Sequence, residues 1–146
     1  MRNNENHHTG TRVTRATLAS RQDAVAQAQA LVSAFCADNH ITGRDRMILC
    51  LVMEELVTNT LRHGAAPADA PIEVALARRQ DRVEVAYADH GVAFDPLREA
   101  PAGEPITACL EGGLGWRLIR HYCPAIDYRH EAGQNRLRLV RDLENP

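Results

Sequence analysis

The chain has 146 residues and a formal net charge of −2, and its hydrophobic and charged shares of 45% and 25% match those of an average soluble domain. These values predict no direct nucleic-acid binding, and no apolar run approaches the roughly 20 residues of a membrane span. All 17 basic residues are arginine, and serine occurs only as Ser20 and Ser33. A P-loop lysine, a Schiff-base lysine and a serine-hydrolase elbow are therefore excluded.

The chain termini and the cysteines indicate the domain organisation and the compartment. Residues 1–10 are polar and predict a flexible tail, which leaves 11–146 as one domain. The polar start lacks the features of a signal peptide. The four cysteines are widely spaced and form no CxxC pair, so we expect reduced thiols and a cytoplasmic location.

The first half of the chain predicts one strand and two helices. Residues 12–18 alternate as in a β-strand. Ser20 is the expected N-cap of a helix that runs to about Ala37, with apolar residues at helical spacing. A second helix is predicted from about Arg44 to His63, with Gly64 as its C-cap.

The second half predicts two hairpins separated by a loop and a helix. Residues 72–79 and 82–89 alternate strongly around a short connection. An irregular loop over 90–111 leads to a helix over 112–122, and a last hairpin over 125–143 turns at 132–134. The order β-α-α-β-β-loop-α-β-β predicts the α/β class, as a two-layer sandwich of a mostly antiparallel mixed sheet with helices on one face.

Three polar side chains recur at every fourth position of the second predicted helix, in the stretch MEELVTNTLRHG. Glu55, Asn59 and His63 therefore form one row, which borders the apolar stripe that contains Leu56. Such a row is often only a solvated border. Alternatively, the carboxylate could accept a proton from a hydroxyl group, and the amide oxygen could coordinate Mg²⁺.

Two further stretches could form parts of a binding site. One lies at the end of a predicted strand, and the other opens a predicted helix. In YADHGVAFDP, Asp89 could form a turn or accept a hydrogen bond from an exocyclic amine such as that of adenine, and Phe94 could line the pocket or the core. In EGGLGWRLIR, the glycines leave the first N–H groups of a helix free to bind an anion. The loop over 90–111 is either a connector or a lid that closes over a nucleotide.

Together, EELVTNTLRHG, DHGVAFDP and GGLGWRLIR resemble the N, G1 and G2 boxes of the GHKL (Bergerat) ATP-binding fold, over about residues 12–142. Within that superfamily the chain most resembles the small anti-sigma-factor serine/threonine kinases of the RsbW-like group. The resemblance implies ATP and Mg²⁺ as cofactors. It also implies Glu55 as the general base, Asn59 as the Mg²⁺ ligand, and His63 near the phosphate side. Arg62 or Arg117 could add positive charge at the phosphates.

The resemblance implies further roles in the nucleotide site. Asp89 matches the residue that binds the adenine amino group, and Gly91 lets the ring approach. The remaining implied binding positions are Ala93, Phe94, Gly113, Leu114 and Gly115. Ala93 replaces the second G1 glycine, and Asn135-Arg136 stand where many relatives carry a threonine that helps to bind adenine.

The resemblance also implies a function. Such a protein binds a sigma factor and phosphorylates a STAS-type anti-anti-sigma protein on serine or threonine in a partner-switching system, with no direct nucleic-acid or membrane contact, and as a possible homodimer. A second hypothesis is a nucleotide-binding regulatory module that sequesters its partners without phosphotransfer. A histidine-kinase catalytic domain is disfavoured, since no helical hairpin with a phosphoacceptor histidine precedes the ATP region.

Overall fold

The computed structural model of the chain describes residues 11–18, 22–63, 70–99 and 114–145. Of His63, Glu99 and Leu114 only the backbone is described. The predicted tail over 1–10, the predicted caps Ser20 and Gly64, residues 100–111 of the predicted loop, and Gly113 lie outside these ranges.

The elements follow one another in the predicted order. They are β1 (Val13–Leu18), α1 (Ala24–Asp38), α2 (Gly43–His63), β2 (Ile72–Arg79), β3 (Arg82–Asp89), α3 (Pro96–Glu99), α4 (Leu114–Tyr122), β4 (Ala125–Glu131) and β5 (Gln134–Asp142). The predicted N-cap of α1 is wrong, since this helix begins at Ala24 after Asp23. The short α3 was missed, although Asp95 caps it through Leu97 N–H at 2.9 Å and Pro96 occupies its first position.

The five described strands form one sheet in the order β1-β2-β3-β5-β4, and all four pairings are antiparallel. Helices α1 and α2 pack on each other, and α4 packs on α2. Alternate residues of the strands join the apolar residues of these helices in one core. The predicted α/β two-layer fold is confirmed. No helix among the described residues is long and apolar enough to span a membrane.

The stripe of α2 that faces the core determines where its polar residues lie. Its buried residues are Ile48, Leu49, Val52, Met53, Leu56 and Val57. Thr60 follows Leu56 by one turn and is also buried, whereas Glu55 and Asn59 are half-buried at the edge of the stripe. One helix thus carries two kinds of polar position, one inside the core and one at its border.

Two buried thiols are part of the core. Cys36 in α1 and Cys123 after α4 are free and fully buried. Burial is the main cause that raises the pKa of Cys36 to about 11 and that of Cys123 to about 12. Both thiols therefore remain protonated near neutral pH and act as small apolar residues.

A buried ion pair joins the start of α2 to the segment after β5. Asp45 is 1% exposed and accepts hydrogen bonds from Arg141 Nη2 at 3.2 Å and from the backbone N–H groups of Glu144 and Asn145 at 3.0–3.1 Å. Arg141 also donates to the Tyr122 carbonyl at 3.0 Å and lies over the Tyr122 ring. These contacts fix the first turn of α2 against the sheet and the end of α4.

The net effect on Asp45 is a pKa below the ordinary value of 3.8. Burial, the largest single influence, raises the pKa. It is outweighed by the backbone hydrogen bonds from Glu144 and Asn145 and by the hydrogen bond and charge of Arg141. Because the folded-state pKa is depressed, the stabilisation is complete well above pH 3.8 and is lost as the pH falls through the folded-state value.

We predict that Asp45→Asn lowers the free energy of unfolding by about 3–5 kcal/mol at pH 7, because Arg141 then remains buried beside a neutral group. Glu144→Gln is the matched control, since this carboxylate also pairs with Arg141 but is 44% exposed, and it should cost less than about 1 kcal/mol. Urea denaturation measures both variants. Equal stabilities of Asp45→Asn and wild type at pH 7 would contradict the prediction.

Candidate functional site

The half-buried edge of α2 meets the first turn of α4. A Cβ atom added to Gly115 would overlap Glu55 Oε2 and would lie 3.1 Å from Asn59 Nδ2 and 3.4 Å from Glu55 Cδ. The predicted row on α2 is therefore in contact with the backbone of the glycine-rich stretch. The structure brings Glu55, Asn59 and Gly115 together although 60 residues separate the first from the last.

The amide of Asn59 has an unused hydrogen-bonding group at this contact. Its Nδ2 atom is buried and has no hydrogen-bond partner within the described ranges. A buried amide without a partner is costly in a folded protein, and such groups mark places where a ligand or ordered water completes the contacts. The edge between α2 and α4 is thus polar, close-packed and incomplete.

A second polar cluster surrounds Asp89 at the end of β3. Asp89 is buried and accepts three hydrogen bonds: from Thr60 Oγ1 of α2 to Oδ2 at 2.7 Å, and from Gly91 N at 3.0 Å and Asn135 Nδ2 at 2.9 Å to Oδ1. A carboxylate offers about four acceptor positions. One position therefore remains, and it lies on Oδ2.

Tyr87 supports this cluster from inside the core. Its hydroxyl lies 2.6 Å from Thr60 Oγ1 and 3.3 Å from the Leu56 carbonyl. Burial is the main cause that raises the pKa of Tyr87; the hydrogen bond with Thr60 opposes this increase, and the charge of Asp89 adds to it. The phenol therefore keeps its proton. Since the Asp89 carboxylate can only accept, Thr60 gives its one hydrogen to Asp89 and the Tyr87 hydroxyl donates to Thr60.

The segment after β3 links the two clusters. Phe94 N–H donates to Tyr128 Oη at 3.0 Å and to Asn135 Oδ1 at 3.2 Å. The Phe94 ring stacks on Trp116 in the first turn of α4, with 5.9 Å between centroids. The turn beside Asp89 is therefore connected through Phe94 to the helix that carries Gly115.

The other predicted site residues are less constrained by the described contacts. Ala93 is exposed beside Phe94, and Arg62 is exposed one turn beyond Asn59. His63 is the last residue of α2 and Leu114 the first of α4. Gly113 lies outside the described residues.

Sequence reasoning missed the partners that hold Asp89. Thr60, Tyr87 and Tyr128 were not singled out, and Asn135 was noted only as a departure from the family pattern. Thr60 could have been identified from the sequence, since it is a polar residue on the apolar stripe of α2 and needs a buried hydrogen-bond partner. Tyr128 could not, because its role depends on the register of β4 and β5.

Known proteins of similar sequence identify the family of this chain. Residues 18–141 match the family model described as the histidine kinase-like ATPase domain. The chain belongs to the histidine kinase-like ATPase family. It is also 34% identical over 111 residues to the serine/threonine-protein kinase BtrW of Bordetella bronchiseptica, which covers 69% of this chain and 78% of the relative. The resemblance to GHKL-type anti-sigma kinases is confirmed at the level of the family.

The residues of this histidine kinase-like ATPase domain fit magnesium-bound ATP at both clusters. Asp89 offers one open acceptor for an amino group, and Glu55 and Asn59 can approach the Gly115 backbone closely only because this residue lacks a side chain. No group of three or more His, Cys, Asp and Glu side chains in the described part of the chain could hold a metal ion. Mg²⁺ that is bound together with ATP typically takes one or two protein oxygens, and its remaining ligands are phosphates and water.

We predict that Gly115→Ala lowers ATP turnover at least tenfold, because the new Cβ displaces the end of the flexible Glu55 side chain. The fold should survive, since Ala is favoured over Gly inside a helix by about 0.5–1 kcal/mol. Turnover and thermal melting measure the two effects. In a Glu55→Ala background the same change should have little further effect on turnover; a full additional loss there would show that Gly115 acts independently of Glu55.

Proposed function

We propose that this protein is an ATP-dependent serine/threonine kinase and anti-sigma factor. In this proposal it binds a sigma factor and phosphorylates a STAS-type anti-anti-sigma protein in the cytoplasm, without direct contact with nucleic acid or a membrane. The observation that carries the proposal is the meeting of Glu55, Asn59 and the Gly115 backbone at one edge of the helix layer. The family and the kinase relative support it.

The proposed nucleotide orientation follows from the positions of the two clusters. Asp89 accepts a hydrogen from the adenine amino group at its open Oδ2 position, and Gly91 leaves room for the ring. Asn59 and the first N–H groups of α4 lie on the phosphate side, where the positive end of the helix dipole favours anions. In a chain without lysine, backbone N–H groups and arginine side chains are the groups that can bind the phosphates.

Glu55 is the proposed general base. Its carboxylate accepts the proton of the partner's serine or threonine hydroxyl as that oxygen bonds to the γ-phosphorus, while the bond to the β–γ bridging oxygen breaks and ADP leaves. Bound Mg²⁺ supplies charge neutralisation at the phosphates, and the proposed protein ligand for it is Asn59. Arg62, which is exposed in the last turn of the same helix, is proposed to add positive charge there.

We predict that Glu55→Gln lowers the phosphotransfer rate by about 10²–10⁴ while the Kd for ADP changes less than about threefold, because the base acts in the chemical step. Glu54→Gln is the matched control, since this neighbouring carboxylate is exposed and should leave transfer unchanged. The assay follows labelled γ-phosphate from ATP to the STAS-type partner recovered with the native complex.

Two outcomes would contradict parts of the proposal. Undiminished transfer in Glu55→Gln would remove Glu55 from the role of base. A wild-type protein that binds ADP and its partners, but moves no phosphate to either, would instead be the nucleotide-binding regulatory module that sequesters partners without phosphotransfer.

A further inference from the structure

The side chain of Asn135 is the centre of the contacts beside the proposed adenine position. It is 6% exposed and lies directly opposite Asp89 in the pairing of β3 with β5. Its Nδ2 atom donates to Asp89 Oδ1 and to the Val92 carbonyl, both at 2.9 Å, with the Gly91 carbonyl at 3.3 Å. One side chain thereby holds both the carboxylate and the turn that follows it.

The Tyr128 hydroxyl completes this arrangement from β4. It donates to Asn135 Oδ1 at 2.6 Å and accepts from Phe94 N at 3.0 Å. Burial raises the pKa of Tyr128, a hydrogen bond from Phe94 lowers it, and the charges of Asp95 and Asp89 raise it further, for a net increase. The hydroxyl therefore stays protonated and donates a hydrogen bond to Asn135. We call these two residues the Asn135–Tyr128 clasp.

The clasp determines which part of Asp89 faces a ligand. Tyr128 and Phe94 N–H occupy the amide oxygen of Asn135, so its NH₂ group must face Asp89. With Gly91 N–H, this group fills Oδ1 and leaves the open acceptor on Oδ2, beside Thr60. This open oxygen can only accept a hydrogen bond. It can therefore pair with an amino group, which donates, but not with a keto oxygen, which also only accepts.

We propose that Asn135 and Tyr128 are positioning residues for nucleotide recognition, which set the affinity for a 6-aminopurine by holding Asp89 and the turn from Gly91 to Phe94. This inference rests on the proposed function, because it requires the base to bind at Asp89. It assigns a role to two side chains outside the three sequence boxes, and it explains how an asparagine serves at a position where many relatives carry threonine.

The first test removes a single oxygen atom. In Tyr128→Phe the ring remains and Asn135 loses one partly buried hydrogen bond, so the Kd for ADP should rise about three- to tenfold. The Kd for inosine diphosphate, which has a keto oxygen in place of the amino group, should change less than about twofold. Calorimetry with both nucleotides measures the difference.

The second test uses a matched pair of similar volume at position 135. Asn135→Val removes every hydrogen bond that the Asn135 side chain makes and should weaken ADP binding by at least about tenfold. Asn135→Thr restores a hydroxyl donor opposite Asp89 and should bind ADP at least about threefold more tightly than Asn135→Val.

The kinetics of Tyr128→Phe give a third test. With saturating ATP, kcat for phosphotransfer should stay within about twofold of wild type in this variant, while KM for ATP rises.

Tyr122→Phe is the control for the loss of a tyrosine hydroxyl, since this ring lies at the end of α4 under Arg141, and its ADP affinity should be that of wild type. Equal weakening of ADP and inosine diphosphate in Tyr128→Phe would indicate a general loosening and overturn the inference. Unchanged ADP affinity in Tyr128→Phe, or equal affinities of the Val and Thr variants, would also overturn it.

The outcome for wild type separates this inference from the proposed function. If wild type binds ADP and transfers phosphate while the clasp variants behave as wild type, the inference alone fails. If wild type binds neither ADP nor ATP, the proposed function fails first and the inference with it.

Discussion

The arrangement of the site depends on one buried carboxylate, Asp89, which receives hydrogen bonds from α2, from β5 and from the turn after β3. A buried charge is tolerated only where donors converge on it, so these three elements must keep their relative positions. Since Thr60 is the residue after Asn59, this bond also fixes the direction of α2 in its last turns. The polar edge of the helix, with Glu55, is therefore aligned with the end of β3 by the same contact.

The helix layer supplies the second half of the site by close approach. A side chain at position 115 would separate α4 from Glu55 and Asn59, so the absence of a Cβ allows the backbone of α4 to lie directly against these two polar side chains. The stacking of Phe94 on Trp116 connects the first turn of α4 to the turn beside Asp89. The candidate site thus combines residues of the sheet and of the helices, and the two stacked rings join them.

The elements and the fold class could be predicted because hydrophobic periodicity and turn residues are local, as in the hairpin over 72–89 and in α2. The row of Glu55 and Asn59 could also be read from helical spacing, although its contact with Gly115 could not. The contacts of Asn135 and Tyr128 with the segment around Asp89 could not be predicted. They depend on the pairing of β5 with β3, and α3, α4 and β4 lie between these strands in the chain, so sequence spacing does not give the register. The link between Asp45 and Arg141 was hidden for the same reason, since 96 positions separate the two residues.

Trp116 is the only tryptophan in the chain. Its ring stacks on Phe94, and it directly follows Gly115, which faces Glu55. Its indole is nearly buried, at 9% exposure. The intrinsic fluorescence of the protein therefore comes largely from one point, at the junction of the turn and the helix. Any rearrangement that parts these two rings changes the surroundings of that single fluorophore, and an unlabelled sample carries its own optical reporter of the state of the site.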